Sequence, residues 1–185
     1  MKLHPCAKWP RLAALLASLV SALALTAQAQ GRTHEHGAAR LDIAVEAGKL
    51  NLQLEVPLDS LLGFERAPRT EAERKRVDAA VARLKAADKL FLTDAAAQCS
   101  LNSVELNSAA LKLGKAAPAS GAGEHADLDA SFEFTCKDSS RLGFIDTELF
   151  SAFANMQRID VQVATPKGQF KRTLNRPARR VALAR

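Results

Sequence analysis

Three histidines and one aspartate stand at spacings that suit a metal ion. His34 and His36 are separated by one residue, and His125 and Asp127 repeat that spacing. On an extended chain residues i and i+2 point to the same side. Each pair can then present two donors to one ion, with Glu35 facing away. Zinc takes imidazole and carboxylate in tetrahedral sets, and His34, His36, His125 and Asp127 together make such a set. The arrangement requires the segment around His34 to lie beside the strand that starts near Glu124. Spacing alone leaves other readings open. H-E-H near the start of a mature chain also suits an exposed polar tail, and His125 also suits a surface position after a loop. Glu35 and Glu124 are possible replacements for Asp127.

Other chemistry has less to stand on. Gly-x-Ser-x-Gly, a Walker-type phosphate loop and H-E-x-x-H are all absent from the sequence. Asp42 could pair with Asp59 or Glu65 as carboxylates, but charged residues on strands and turns commonly face solvent. The chain is not expected to be an enzyme.

Residues 1–29 have the pattern of a secretory signal peptide. Lys2, Lys8 and Arg11 precede an apolar run of 14 residues from Leu12 to Leu25, and Ala27 and Ala29 frame an A-x-A cleavage signal. A membrane anchor needs about 20 apolar residues, so no transmembrane segment is expected in the mature chain. Cleavage removes His4 and Cys6 and leaves 156 of the 185 residues, one domain's length. Export implies a periplasmic, oxidising setting. There an even pair of cysteines without C-x-x-C spacing, Cys99 and Cys136, argues for a disulfide. The rival is a pair of thiolate ligands.

Removing the segment takes away three bases and no acid, so the formal charge falls from +6 to +3. The last 19 residues hold seven bases and no acid, which leaves the body from Gln30 to Pro166 at −4. A basic end can bind nucleic acid or an anionic surface. An exported protein meets little nucleic acid, and only Phe170 is available for stacking. The tail reads as a solvated strand edge and a frayed end, with no nucleic-acid partner.

The elements that must position the histidines follow from periodicity. Leu41, Ile43 and Val45, then Leu50, Leu52, Leu54 and Val56, alternate with polar residues on both sides of Ala47-Gly48, a hairpin with one buried face. Pro57 closes the second strand. Leu61 to Pro68 reads as a packed loop, or as a partner-docking segment. Thr70 and Glu73 form a capping box for a helix over about Glu71 to Ala87, with Val77, Val81 and Leu84 as its stripe. Short strands are expected at Leu90 to Leu92, Cys99 to Leu106 and Leu128 to Cys136. A mobile loop rich in Ala, Gly, Pro and Ser lies at about 112–124. A short helix at Thr147 to Met156 precedes a second hairpin that turns at Pro166-Lys167-Gly168. The sum is a single α+β domain over residues 30–185: a small antiparallel β-sandwich or sheet with one long and one short helix.

Four blocks carry a resemblance to a known family. They are H-E-H-G-A-A-R-L-D-I-A-V-E at His34 to Glu46, P-L-D-S-L-L-G-F-E-R-A-P at Pro57 to Pro68, H-A-D-L-D-A-S-F-E-F-T-C at His125 to Cys136, and R-I-D-V-Q-V from Arg158. The chain resembles the ZrgA-like family of periplasmic zinc-uptake proteins. The resemblance implies a zinc-binding accessory that hands zinc as cargo to an inner-membrane transporter component. It also makes the four-ligand set worth testing. Members associated with zinc carry a histidine- and acid-rich insert before the H-A-D-L block. Here Lys112 to Glu124 contains no histidine, which suits a single small site rather than a high-capacity buffer. A non-enzymatic envelope adaptor without metal is the alternative.

Overall fold

Alternation of apolar and polar residues builds much of this protein into sheet. The computed structural model describes residues 35–115 and 126–184. The expected signal peptide, His34, Glu124, His125 and most of the Ala- and Gly-rich loop lie outside the described residues.

β1 (Ala38–Glu46) and β2 (Lys49–Pro57) form the expected antiparallel hairpin about Ala47-Gly48. Gly48 has φ +73°, a left-handed turn conformation that glycine adopts without steric cost. α1 (Leu58–Leu62) follows directly, then α2 (Glu71–Lys85), α3 (Ala87–Leu90) and β3 (Phe91–Thr93). β4 (Cys99–Asn107) and β5 (Asp127–Cys136) pair antiparallel, as do β7 (Arg158–Thr165) and β8 (Gly168–Asn175). Between these pairs lie β6 (Phe144–Thr147) and α4 (Leu149–Ala152), and β9 (Arg180–Ala182) ends the chain. The large sheet has the order β4-β5-β2-β1-β7-β8, and a small one the order β3-β6-β9. The architecture is broadly α+β, mostly strand with few helices.

One buried cluster joins Leu41 and Ile43 of β1, Leu50, Leu52 and Leu54 of β2, and Phe132 and Phe134 of β5 to Val77, Ala80 and Leu84 of α2. Each of the Val, Leu, Ile and Phe side chains among them contributes about 1.5–3 kcal/mol by leaving water. The capping box forms as expected. Thr70 accepts from Glu73 N at 3.1 Å, and Glu73 accepts from Thr70 N at 3.2 Å.

Several expectations change. The large sheet is mixed, because β7 runs parallel to β1. The amides of Gln157 and Arg158 donate to Gly37 O, at 2.7 and 3.0 Å, so β7 enters the sheet at the end where β1 begins. The helix expected to reach Ala87 breaks at Ala86 (φ −88°, ψ 49°), and the one expected over Thr147 to Met156 is a single turn. The start of the Leu61 to Pro68 block belongs to α1. Among the described residues the basic tail does not fray. Val181 and Leu183 are buried, and Arg180 grips Asp146 with two hydrogen bonds of 2.8 and 2.7 Å over the Phe144 ring. No helix among the described residues is long and apolar enough to cross a membrane.

Candidate metal centre

The β1–β2 hairpin decides which residues meet at its open end. Its paired residues run from Glu46 with Lys49 to Arg40 with Glu55, numbers that always total 95. His36 and Asp59 also total 95, and they do meet. His36 Nδ1 lies 2.6 Å from Asp59 Oδ2.

Neither residue sits on a strand. His36 is in a turn closed by Ala38 N donating to Glu35 O at 3.0 Å, so the alternation of an extended chain begins only at Ala38. Gly37 has φ +76°, and a Cβ there would lie 3.2 Å from Asn155 O; only glycine makes this bend beside β7 without strain. Gly37 N donates to Ser60 Oγ at 3.1 Å, and Ser60 Oγ donates to Ala38 O at 3.3 Å from a fully buried position. Asp59 sits in the first turn of α1, its carbonyl accepting from Asn155 Nδ2 at 3.0 Å and from Gly63 N at 2.8 Å. Gly63 ends α1 in the left-handed conformation, φ 81°. That C-terminal turn reverses the chain, and Glu65 Oε1 comes to 3.6 Å from His36 Nδ1.

His36, Asp59 and Glu65 each offer a ligand atom, and all three atoms lie within 4.8 Å of one another. The histidine side chain is 68% exposed, while the carboxylates are held at 19% and 22%. An ion can therefore enter from solvent onto a supported base. The His36 pKa is raised above 6.5, first by its hydrogen bond with Asp59, then by the charges of Asp59 and Glu65. Two carboxylates that favour a proton on the ring also favour a cation in its place. Two ligands of a tetrahedral zinc stand about 3.3 Å apart, given bonds of about 2.0 Å. The Nδ1–Glu65 separation is near that value, and the Nδ1–Asp59 separation must open by under 1 Å.

Of the ligands expected from spacing, His36 and Asp127 are described. Asp127 pairs with Pro57 at the start of β5, and Leu58 N donates to Ala126 O at 2.8 Å. It stands at the same end of the sheet as His36, outside the three-residue group. β1 and β5 flank β2, two strand spacings or roughly 9–10 Å apart. Glu35 is held by Arg158, which donates to both carboxylate oxygens at 2.8 and 2.7 Å. Asp42, suggested as a partner for Asp59 or Glu65, instead accepts from Arg40 and Gln162. Cys99 and Cys136 form a disulfide, so their sulfurs are not thiolate ligands.

From the sequence, Asp59 and Glu65 read only as carboxylate partners for Asp42 or as solvent-facing residues. The hairpin arithmetic could have picked out Asp59, because the turn at Ala47-Gly48 fixes the total of 95. Glu65 left no such signal, since its place depends on the left-handed turn at Gly63.

Residues 33–183 match the family model described as ZrgA family zinc uptake protein. No curated protein matches the chain.

Proposed function

The chain belongs to the ZrgA family of zinc uptake proteins, and from that premise we propose that it binds one zinc ion as cargo at His36, Asp59 and Glu65. It acts outside the cytoplasm, in the periplasm after removal of its signal peptide, and passes the ion to an inner-membrane transporter component. The observation that carries this reading is the convergence of one imidazole and two carboxylates within 4.8 Å. The disulfide fits an oxidising compartment. An exposed imidazole on a carboxylate base suits cargo that must leave again.

A tetrahedral ion then has one further position, for which His34, His125 and Asp127 are the candidates. Asp127 starts β5 opposite Pro57, at the same end of the sheet as His36.

The test is a calorimetric zinc titration of the purified protein. One ion per chain is expected. His36→Ala and His125→Ala should each weaken binding, and the double variant should lose less than the sum, because the two share one ion. If His125→Ala changes nothing while His36→Ala abolishes binding, His125 is not a ligand. If the unchanged protein takes up no zinc, the second reading replaces this one: a non-enzymatic envelope adaptor, favoured by the absence of histidine from Lys112 to Glu124.

A further inference from the structure

His36 carries the one nitrogen donor of the three-residue group, yet it lies in a turn and is the most exposed of the three. Its position depends on its two neighbours, and one distant residue holds both. Arg158 donates Nη1 to Glu35 Oε1 at 2.8 Å and Nη2 to Glu35 Oε2 at 2.7 Å. Its backbone N–H donates to Gly37 O at 3.0 Å. The guanidinium is braced from behind by Asp160, which accepts from Nε at 3.2 Å.

Stability alone does not account for this arrangement. The Arg158 and Glu35 side chains are 34% and 62% exposed, and ion pairs of that kind contribute little to folding. What the fork does is geometric. Two parallel charge-assisted bonds fix both the direction and the rotation of a carboxylate. Here they pin the residue before His36 to the first residue of β7, 123 positions away. They also engage the carboxylate nearest in sequence to the imidazole, so Glu35 is turned from the group that Asp59 and Glu65 complete.

We infer that Arg158 is a positioning residue for the cation site: by gripping Glu35 and Gly37 it sets the His36 imidazole over Asp59 and Glu65 and withholds Glu35 from the ion. This rests on the zinc-binding reading above and adds a residue that touches no metal.

The experiment compares the unchanged protein with Arg158→Gln, Glu35→Gln, the exchanged pair Glu35→Arg with Arg158→Glu, and His36→Ala. Zinc affinity is read by competition with a chromophoric chelator. Cobalt(II), which takes the same ligands and absorbs in the visible, reports coordination geometry. Arg158→Gln keeps the backbone N–H and its bond to Gly37 O, so it removes the grip on Glu35 together with the brace to Asp160. It should lower zinc affinity by about 10-fold, within the 10- to 100-fold span typical when a residue that orients a ligand is lost. It should also change the cobalt absorption while leaving the thermal midpoint unmoved. Glu35→Gln should do the same, and the exchanged pair should recover most of the loss. Unchanged affinity and cobalt spectrum in Arg158→Gln would overturn the inference while His36→Ala, if it still loses zinc, upholds the site. Tighter binding in Arg158→Gln would also overturn it, by showing Glu35 to be a ligand once free. No binding by the unchanged protein overturns the zinc reading and this inference with it.

Discussion

The two ends of the large sheet are fastened by different chemistry. At the end where β5 stops and β4 starts, the tie is covalent. Cys99 and Cys136 are directly opposed and bonded, and Cys136 N donates to Gly48 O at 2.9 Å beside the hairpin turn. At the other end, where β1, β5 and β7 begin and β2 runs into α1, the fastenings are hydrogen bonds and ion pairs: His36 with Asp59, Glu35 with Arg158, and Gly37 with Ser60. A covalent bond holds whatever the protonation or occupancy of its surroundings. The polar fastenings respond to both. With the proposed zinc site, the difference would give stability to one end and ligand exchange to the other, and each expectation below would break or sharpen that assignment.

The largest effect belongs to the covalent end. The bridge spans 37 residues, and a loop of that size lowers unfolded-state entropy by an amount worth about 3–4 kcal/mol. Replacing both cysteines by alanine should lower stability by that amount in urea unfolding, with zinc affinity retained. A collapse of zinc affinity in the folded double variant would couple the ends and break the comparison.

At the polar end the order reverses. Asp59→Asn should weaken zinc binding on the order of 100-fold, because it removes an anionic ligand of the group. Glu65→Gln should cost less, on the order of 10-fold, since Glu65 lies farther from the imidazole and is reached only through the Gly63 turn. Unfolding midpoints of the metal-free variants should stay close to that of the unchanged protein. Equal losses from the two carboxylate changes would remove Asp59 from the centre of the site.

How much of this contrast is legible before folding depends on the range of the interaction. The hairpin, the capping box at Thr70 and Glu73 and the cysteine pair are legible because alternation, a four-residue motif and a compartment argument are each read along the chain. α1 has five residues, too few to establish a helical period, and β9 has three, hidden among arginines that suggest solvent. The parallel pairing of β1 with β7 joins residues more than 100 positions apart, which no local pattern encodes. Within the candidate group, His36 is named by its type, while its spacing with His34 assumed an extended chain and His36 lies in a turn. Asp59 was legible only through the hairpin register. Glu65 was not, because a single left-handed glycine places it.

The pH response sharpens the comparison further. Asp59 and Glu65 raise the His36 pKa above 6.5. A group with a raised folded-state pKa contributes stability that is fully present below the unfolded value near 6.5 and is lost as pH rises through the folded one. The metal-free protein should therefore lose this pair on the alkaline side. Zinc binding runs the other way, because the ion must displace the ring proton. Zinc affinity should begin to fall above pH 6.5 on acidification and keep falling below it. In Asp59→Asn, which removes the largest cause of the shift, the remaining pH dependence should move to lower pH. Calorimetry between pH 8 and pH 5.5 reads both; a flat profile over that range would exclude His36 as the principal ligand. The disulfide end should show no such dependence.

The smallest effect concerns the loop that carries Glu65. Phe64 and Arg66 flank that proposed ligand. Arg66 lies over the Phe64 ring and donates to both Glu73 oxygens at 3.0 and 2.7 Å. Glu73 also accepts from the amides of Arg69 and Thr70, and its pKa falls to about 2, chiefly through Arg66 and then Arg69 N. A depressed carboxylate contributes stability that is fully present above its unfolded pKa and is lost as pH falls through the folded one. The relevant window therefore runs from about pH 4.5 down to about 2. Below neutral pH the proposed zinc site should empty first, as His36 takes up its proton, so the two events should separate on the pH axis. Glu73→Gln should flatten the fall in thermal midpoint between pH 4.5 and 2, because the group that protonates there is gone. At pH 7 the same change should lower zinc affinity by less than about three-fold: residues that orient ligands directly typically cost 10- to 100-fold, and Glu73 acts one residue further removed. A loss as large as that from Glu65→Gln would make the capping box part of the metal site, and the contrast between a structural and an exchanging region would have to be redrawn to include the start of α2.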